Sequence, residues 1–186
     1  MKRVLILGLA IVLLPACQSP TPEPESPAQE PESPTPAPLV VDGMINGVQV
    51  GELLFGGQPS EQALEYLAAE GYKTILSTRG EGEVGWDEKA AVEALGMRFV
   101  HIPMNKPVVA ITDEQVEQFD EAMAQAEHPM VLHCGSGNRV SGLWAVWLAE
   151  RQHVEPEEAL RLAEQTGMSG VRPVVEQRLQ ILVREE

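Results

Sequence analysis

One stretch around residue 134 constrains the fold of this chain more than any other. Residues 130–133 read Met-Val-Leu-His, a short apolar run that is typical of a buried strand. Cys134 and a glycine-rich segment follow, and a helical pattern begins at Val140. This order predicts a buried strand that delivers a cysteine to a loop, with a helix N-terminus on the far side of that loop.

Strands and helices alternate through the rest of residues 39–186. Short apolar runs predict strands at 53–55, 72–78, 97–103 and 130–133. Helical spacing and capping residues predict helices at 60–70, 86–95, 112–127, 140–152, 157–165 and 172–184. Such alternation predicts an α/β fold in three layers: a central, mostly parallel sheet of four or five strands, flanked by helices on both faces.

The loop after the strand has the composition of an anion-binding site. Its backbone N–H groups and the helix N-terminus form a cradle, and Gly135 and Gly137 let the chain curl around an anion. The same positive field brings the pKa of a cysteine from about 8.5 down to roughly 3.5–7.5. Arg139 adds a guanidinium that suits a phosphate-like oxyanion. We therefore predict a nucleophile at Cys134, although a buried cysteine is also compatible with an inert core thiol.

The loop resembles the signature of protein tyrosine and dual-specificity phosphatases, which reads His-Cys, two residues, Gly, two residues, Arg, and Ser or Thr. Four residues fall in register with it: His133, Cys134, Gly137 and Ser141. The arginine does not, because Val140 occupies its position and Arg139 comes one residue early. Four residues separate the cysteine from the arginine here, where those phosphatases have five.

A loop shortened in this way resembles a bacterial group of phosphatase-like domains, described as beta-lactamase-hydrolase-like phosphatases or as sulfurtransferases. That group also has a Gly-Gln-Pro-Ser segment, here 57–60, then a helix, a glycine and a strand that ends in an arginine, here Arg79. The resemblance covers about residues 45–150. It implies the cysteine-phosphatase fold and a phosphatase-like hydrolase that forms a phosphocysteine at Cys134.

The residue roles follow from the loop and from this resemblance. We expect Cys134 and Arg139 to be catalytic. Substrate-binding roles are predicted for the other loop residues, Gly135, Ser136, Gly137 and Asn138. The same role is predicted for Arg79, which lies elsewhere in the sequence. His133 is expected to pack behind the loop in a supporting role, and Ser141 either to hydrogen-bond the sulfur or to assist its departure. For Arg79, a salt bridge with Glu81 or Glu83 is an equal alternative.

Two other functions stay open: sulfur transfer of the rhodanese type through a persulfide on Cys134, and anion binding by an inactive pseudophosphatase. Dual-specificity phosphatases place an aspartate about thirty residues before the cysteine, where it protonates the leaving oxygen. The matching stretch here, 103–107, reads Pro-Met-Asn-Lys-Pro and holds no carboxylate. Asp113 is the nearest one, but its place at a helix start favours stabilisation of the helix dipole. Esters with good leaving groups are therefore the expected phosphatase substrates, and sulfur transfer needs no acid.

The first 38 residues have the composition of a signal peptide followed by a flexible linker. A short basic start and an apolar run predict a signal peptide over 1–16. It ends in Leu-Pro-Ala before Cys17, which resembles the bacterial lipobox and implies that Cys17 carries a lipid. Residues 17–38, rich in Pro, Glu and Ser, predict a disordered linker before a domain over 39–186. Gln18 implies a lipid anchor in the outer membrane of a bacterial cell envelope, facing the periplasm.

The net charge and the spacing of the histidines limit the classes of partner and cofactor that this chain can bind. The chain holds 13 Lys and Arg against 28 Asp and Glu, a formal net charge of −15. Nucleic acid is therefore an unfavourable partner, and a small anionic substrate must be captured by a local positive site. The four histidines show no metal-ligand spacing, so we expect neither a metal nor another cofactor. The expected contacts are the anionic substrate and the membrane, reached through the lipid on Cys17.

Overall fold

The computed structural model describes residues 35–180. The predicted signal peptide, the lipidation site at Cys17 and most of the linker lie outside these residues, as does the predicted end of the last helix. Six strands are present: β1 (Ala37–Pro38), β2 (Val48–Val50), β3 (Leu53–Gly56), β4 (Thr74–Ser77), β5 (Arg98–His101) and β6 (Met130–His133). Six helices accompany them: α1 (Glu61–Ala69), α2 (Glu88–Ala94), α3 (Asp113–Gln125), α4 (Asn138–Arg151), α5 (Pro156–Gln165) and α6 (Arg172–Leu179).

The strands form one mixed, mostly parallel sheet in the order β1-β2-β3-β6-β4-β5. The four strands β3, β6, β4 and β5 pair in parallel, and β1 and β2 add an antiparallel edge. The predicted α/β fold is confirmed. The strand count of four or five was too low, because β1 and β2, at two and three residues, are too short to show a strand pattern. Ala37–Pro38 belong to the sheet although they were assigned to the linker.

The central strands are buried on both faces, which gives the domain two cores. Leu54, Ile75 and Val131 lie side by side and pack with α1 and α2. The next residues along each strand face the opposite way and pack with α3, α4, α5 and α6. Helices thus cover both faces of the sheet, which is the predicted three-layer arrangement.

Helix termini follow the local sequence closely. The Ser60 hydroxyl caps α1, and Thr112 and Gln115 form a capping box at α3. The strands β4 and β5 are shorter than predicted, since only the residues that pair with a neighbouring strand form the ladder, whereas β6 has the predicted bounds. None of the helices within residues 35–180 is long and apolar enough to span a membrane.

The topology places the cysteine loop at the carboxyl edge of the parallel strands. β6 lies between β3 and β4, and His133 is in register with Gly56 on one side and Ser77 on the other. The loop therefore leaves the sheet between two strand ends, which is the edge where open α/β sheets bind ligands. α4 follows it and is almost wholly buried, since both α5 and α6 pack against it.

Candidate active site

The cysteine loop, residues 134–139, makes a tight turn into α4. Gly137 adopts a φ of +94°, which disfavours any residue with a Cβ, and a Cβ there would lie 3.3 Å from the Thr166 carbonyl oxygen. α4 begins at Asn138, one residue later. A Cβ on Gly135 would lie 3.5 Å from Arg79 Nη1 and 3.7 Å from Arg139 Nη2. Two guanidinium groups therefore face the loop at Gly135.

Cys134 lies at the centre of this loop and only 1% of its surface is exposed. Burial raises the pKa of its thiol. The backbone N–H groups of Ser136, Val140 and Arg139 and the positive charge of the Arg139 guanidinium act in the opposite direction. Together they outweigh burial and hold the pKa below the usual value, so the loop stabilises a thiolate. This environment suits a nucleophile, whereas an inert core thiol has its pKa raised.

Arg139 reaches the sulfur despite its early position in the sequence. It is the second residue of α4 and is 2% exposed. Burial lowers its pKa, but the hydrogen bond to Glu83 and the negative charges of Cys134 and Glu83 outweigh burial and raise the pKa. The loop is one residue shorter than in the phosphatase signature, so the helix also begins earlier. The shorter loop and the earlier arginine thus compensate for each other.

Glu83 is a site residue that sequence reasoning considered only as a partner for Arg79. Its two carboxylate oxygens accept hydrogen bonds of 2.8 and 2.7 Å from Arg139 Nη1 and Nη2. The Met104 carbonyl oxygen accepts a further one of 2.6 Å from Arg139 Nη1. The hydrogen bond from Arg139 is the main reason that the pKa of Glu83 is lowered. The carboxylate therefore holds the guanidinium from one side and leaves another side free for the sulfur.

Arg79 forms the salt bridge with Glu83 that was predicted as an alternative, and its substrate-binding role stays a prediction. Its Nε lies 3.2 Å from Glu83 Oε2, and its Nη2 donates to the Glu83 carbonyl oxygen. Its Nη1 remains on the side of Gly135. Glu81 does not take the salt bridge. A Glu four residues after an Arg in a glycine-rich loop was the available signal for this contact.

A buried polar network lies behind the loop, and sequence reasoning missed its central member, Glu88. Oε1 of Glu88 lies 3.0 Å from His133 Nε2 and accepts a hydrogen bond of 2.5 Å from Gln58 Nε2. The other ring nitrogen, His133 Nδ1, lies 3.4 Å from the Cys134 carbonyl oxygen. His133 thus has the predicted place behind the loop. An acidic residue in the first turn of α2 has an ordinary explanation in the helix dipole, so its sequence position alone did not reveal this contact.

Asn138 and Ser141 brace the loop through partners far along the chain. Asn138 Oδ1 accepts hydrogen bonds from the backbone nitrogens of Ser169 at 2.7 Å and Val171 at 3.3 Å. The Ser141 hydroxyl donates to the Thr166 carbonyl oxygen at 3.0 Å. The Ser141 hydroxyl thus contacts Thr166 in this structure, and its expected role toward the sulfur stays a prediction. Its contribution is to hold α4 against the end of α5.

An open cleft of about 560 Å³ lies beside Arg139 at the start of α4. Lys106, Val108, Asn138, Arg139 and Val171 are among its lining residues. Asp113 does not line it: the carboxylate is almost fully exposed and lies 2.8 Å from Arg178 Nη2. The predicted structural role of Asp113 agrees with this contact. Within residues 35–180, no three His, Cys, Asp or Glu side chains are grouped as for a metal ion.

Comparison with known proteins relates this site to phosphatases. The profile of a family described as DSP-PTPase phosphatase fused to NAD+ kinase matches residues 41–178. A beta-lactamase hydrolase-like protein of Agrobacterium fabrum is 33% identical over 108 residues, which are 55% of this chain and 25% of the relative. The chain thus spans about a quarter of the length of that relative.

Solved structures share the architecture. A candidate phosphatase from Neisseria meningitidis is 27% identical with a TM-score of 0.56, and the match covers 67% of this chain and 89% of that one. A DUF442 structure from Shewanella putrefaciens, also a candidate phosphatase, has a TM-score of 0.61 at 20% identity. That match covers 76% of this chain and 93% of the other, and it supports the fold alone.

Proposed function

Because this chain belongs to the family described as DSP-PTPase phosphatase fused to NAD+ kinase, we propose that it is a cysteine-dependent phosphatase with Cys134 as nucleophile. The observation that carries the proposal is the surroundings of the sulfur. Three backbone N–H groups and the Arg139 guanidinium point at one buried atom and lower its pKa. A thiolate in an anion cradle is what phosphoryl transfer to cysteine requires.

The reaction has two balanced steps. The Cys134 thiolate attacks phosphorus, an S–P bond forms, and the P–O bond to the leaving group breaks with its electron pair on oxygen. Water then attacks the phosphocysteine, the S–P bond breaks, the thiolate returns, and inorganic phosphate and a proton are released. The loop N–H groups and Arg139 stabilise the charge on the equatorial oxygens, and Arg79 adds a second cation at Gly135.

Turnover of an aryl phosphate by the full chain tests this proposal. We expect phosphate release by the wild type and none by Cys134→Ser, together with a phosphorylated wild-type protein trapped by rapid acid quench and detected by mass spectrometry. Circular dichroism on both proteins controls for loss of fold. Activity that persists in Cys134→Ser would refute the role of the cysteine, and activity in neither protein would refute the phosphatase function.

Sulfur transfer is a second candidate, favoured by the short spacing of four residues between Cys134 and Arg139. The thiolate would attack the outer sulfur of thiosulfate, the S–S bond would break, and sulfite would leave with the electron pair. Cyanide would then take the sulfur from the persulfide as thiocyanate and restore the thiolate. Thiocyanate formation that depends on Cys134, with no phosphate release, would favour this function. Tight binding of inorganic phosphate with neither reaction would identify an anion-binding pseudophosphatase.

We also propose that the domain is held at a bacterial envelope membrane by a lipid on Cys17. The lipobox-like sequence before Cys17 and the polar linker after it support this placement. Cells that express the full chain should incorporate radiolabelled palmitate into it and retain it in the membrane fraction. The Cys17→Ala variant should lose both the label and the membrane association. Membrane retention of that variant would refute the lipid anchor.

A further inference from the structure

Within residues 35–180, the cleft beside Arg139 holds no carboxylic acid or imidazole that could protonate a leaving group. The cleft that opens from Arg139 has no Asp, Glu or His among its lining residues. Glu83 is the carboxylate in contact with both loop arginines, and both its oxygens accept hydrogen bonds from Arg139. Because those bonds lower the pKa of Glu83, it stays ionised at neutral pH and has no proton to give. Without a carboxylic acid or an imidazole in this cleft, a leaving group that is stable as an anion departs most readily.

A cation occupies this side instead. Lys106 lines the same cleft as Arg139, its side chain is exposed, and no carboxylate within residues 35–180 lies within 4.0 Å of its ammonium group. Its charge nevertheless acts on the catalytic centre, since it contributes to the lowered pKa of Glu83. The two arginines at the loop and Lys106 carry three positive charges, and the carboxylates that interact with them are those of Glu83 and, through Arg79, the buried Glu88. This surplus is local in a chain whose formal net charge is −15.

Leaving groups differ strongly in how much they need an acid. An alkoxide is the conjugate base of an alcohol, whose pKa is close to that of water, about 15.7. A phenolate is the conjugate base of a phenol, whose pKa is about 10. A phosphate that leaves from another phosphate is the conjugate base of a group with a pKa of about 6. Only the last is stable as an anion at neutral pH, and it needs a counter-charge rather than a proton.

We propose that the substrates of this site are phosphoanhydrides, and that Lys106 binds the leaving phosphate. This deepens the proposed phosphatase function and rests on it. The Cys134 thiolate attacks the terminal phosphorus, the P–O bond to the bridging oxygen breaks, and that oxygen leaves with its electron pair as part of a phosphate monoester. No proton is transferred in this step. Water then hydrolyses the phosphocysteine as before, and the proton goes to solvent.

The size and lining of the cleft agree with this substrate class. About 560 Å³ accommodates a second phosphate beyond the one held in the loop, with room for the group attached to it. Asn138 borders the cleft, but its side-chain oxygen is taken by Ser169 and Val171. Lys106 is thus the residue of this wall with a free charged donor for the leaving phosphate.

A matched pair of substrates tests the proposal on the full chain. Phenyl diphosphate and phenyl phosphate share their organic group, but the first loses its terminal phosphate from a phosphate and the second from a phenol. We expect the wild type to show a kcat/KM at least about tenfold higher for the diphosphate. Cys134→Ser should abolish both reactions, which places them in the same site.

The role of Lys106 is read from the ratio of the two kcat/KM values. Lys106→Met should lower this ratio about tenfold, and Lys106→Arg should restore most of it. Lys73→Met, which removes one exposed lysine at the opposite end of β4, is the matched control and should leave the ratio unchanged.

Three results overturn the inference. A ratio near one in the wild type would refute the substrate class, and an equal loss for both substrates in Lys106→Met would refute the assigned role of the lysine. In either case turnover of phenyl phosphate would leave the phosphatase function intact. Turnover of neither substrate would refute that function itself, and the inference with it.

Discussion

Replacement of Glu88 by Gln tests how the buried network behind the nucleophile holds the loop. Glu88 is 5% exposed, and its Oε1 lies 3.0 Å from His133 Nε2 and accepts a hydrogen bond from Gln58. Glutamine has the same size and keeps an oxygen acceptor, so the substitution removes charge and little else. His133 would then lose the only carboxylate that faces its ring from within residues 35–180.

The expected loss of stability follows from burial and charge. The Glu88 carboxylate accepts buried hydrogen bonds, and because hydrogen bonds to charged groups contribute about 1.5–3 kcal/mol, removing the charge should cost about 2–3 kcal/mol at pH 7. Burial raises the pKa of Glu88, but contacts with His133 and Gln58 outweigh it and lower the pKa below the ordinary value. A carboxyl with a lowered folded-state pKa stabilises the fold above its unfolded pKa of about 4.3, and this stabilisation is lost as pH falls through the folded value.

Urea unfolding of the full chain at two pH values measures this difference. With a slope of about 1–3 kcal/mol per molar urea, the variant should unfold roughly 1–2 M earlier at pH 7. The difference in urea midpoint between the two proteins should become smaller at about pH 3.5, because only the wild type has a titrating group at this position. Glu93→Gln, on the exposed side of the same helix and 3.8 Å from Lys89, is the control and should cost less than about 0.5 kcal/mol. An equal difference in urea midpoint between wild type and Glu88→Gln at both pH values would refute the reasoning. A loss of stability in Glu93→Gln as large as in Glu88→Gln would refute it as well.

Three further predictions concern the loop itself. Arg139→Lys should lower kcat/KM for an aryl phosphate by about 10²–10³, because an ammonium group cannot donate two hydrogen bonds to Glu83 and also face the sulfur. An unchanged kcat/KM would contradict this. Gly137→Ala should destabilise the fold by at least about 1–2 kcal/mol in thermal unfolding, because its φ is +94°, whereas Gly85→Ala has open space and should cost less. Alkylation of Cys134 by iodoacetamide in unfolded and folded protein should show a lower apparent pKa in the folded state, and a higher one would contradict the lowered pKa.

The sequence by itself determined the architecture and the anion-cradle loop around Cys134. Strand and helix periods, capping residues and the glycine-rich loop act over a few residues, so they are readable without the fold. Cys134 and its loop belong to this local class, since the N–H groups that bond the sulfur come from residues 136–140. The parallel order of the inner strands also followed, because helices alternate with them. The edge strands β1 and β2 could not be predicted, since two or three residues are too few to show the alternation typical of a strand.

The tertiary structure alone decided which side chains hold the loop. Glu83 meets Arg139 across 56 positions of the chain, and Gln58 meets Glu88 across 30. Ser141 could have faced the sulfur by its sequence position, and only the packing of α5 against α4 gave its hydroxyl another acceptor. A polar side chain in a core bonds whichever partner the packing brings within about 3 Å, because leaving it unsatisfied costs about 1–3 kcal/mol. That choice is made by contacts between distant segments, which local sequence does not encode.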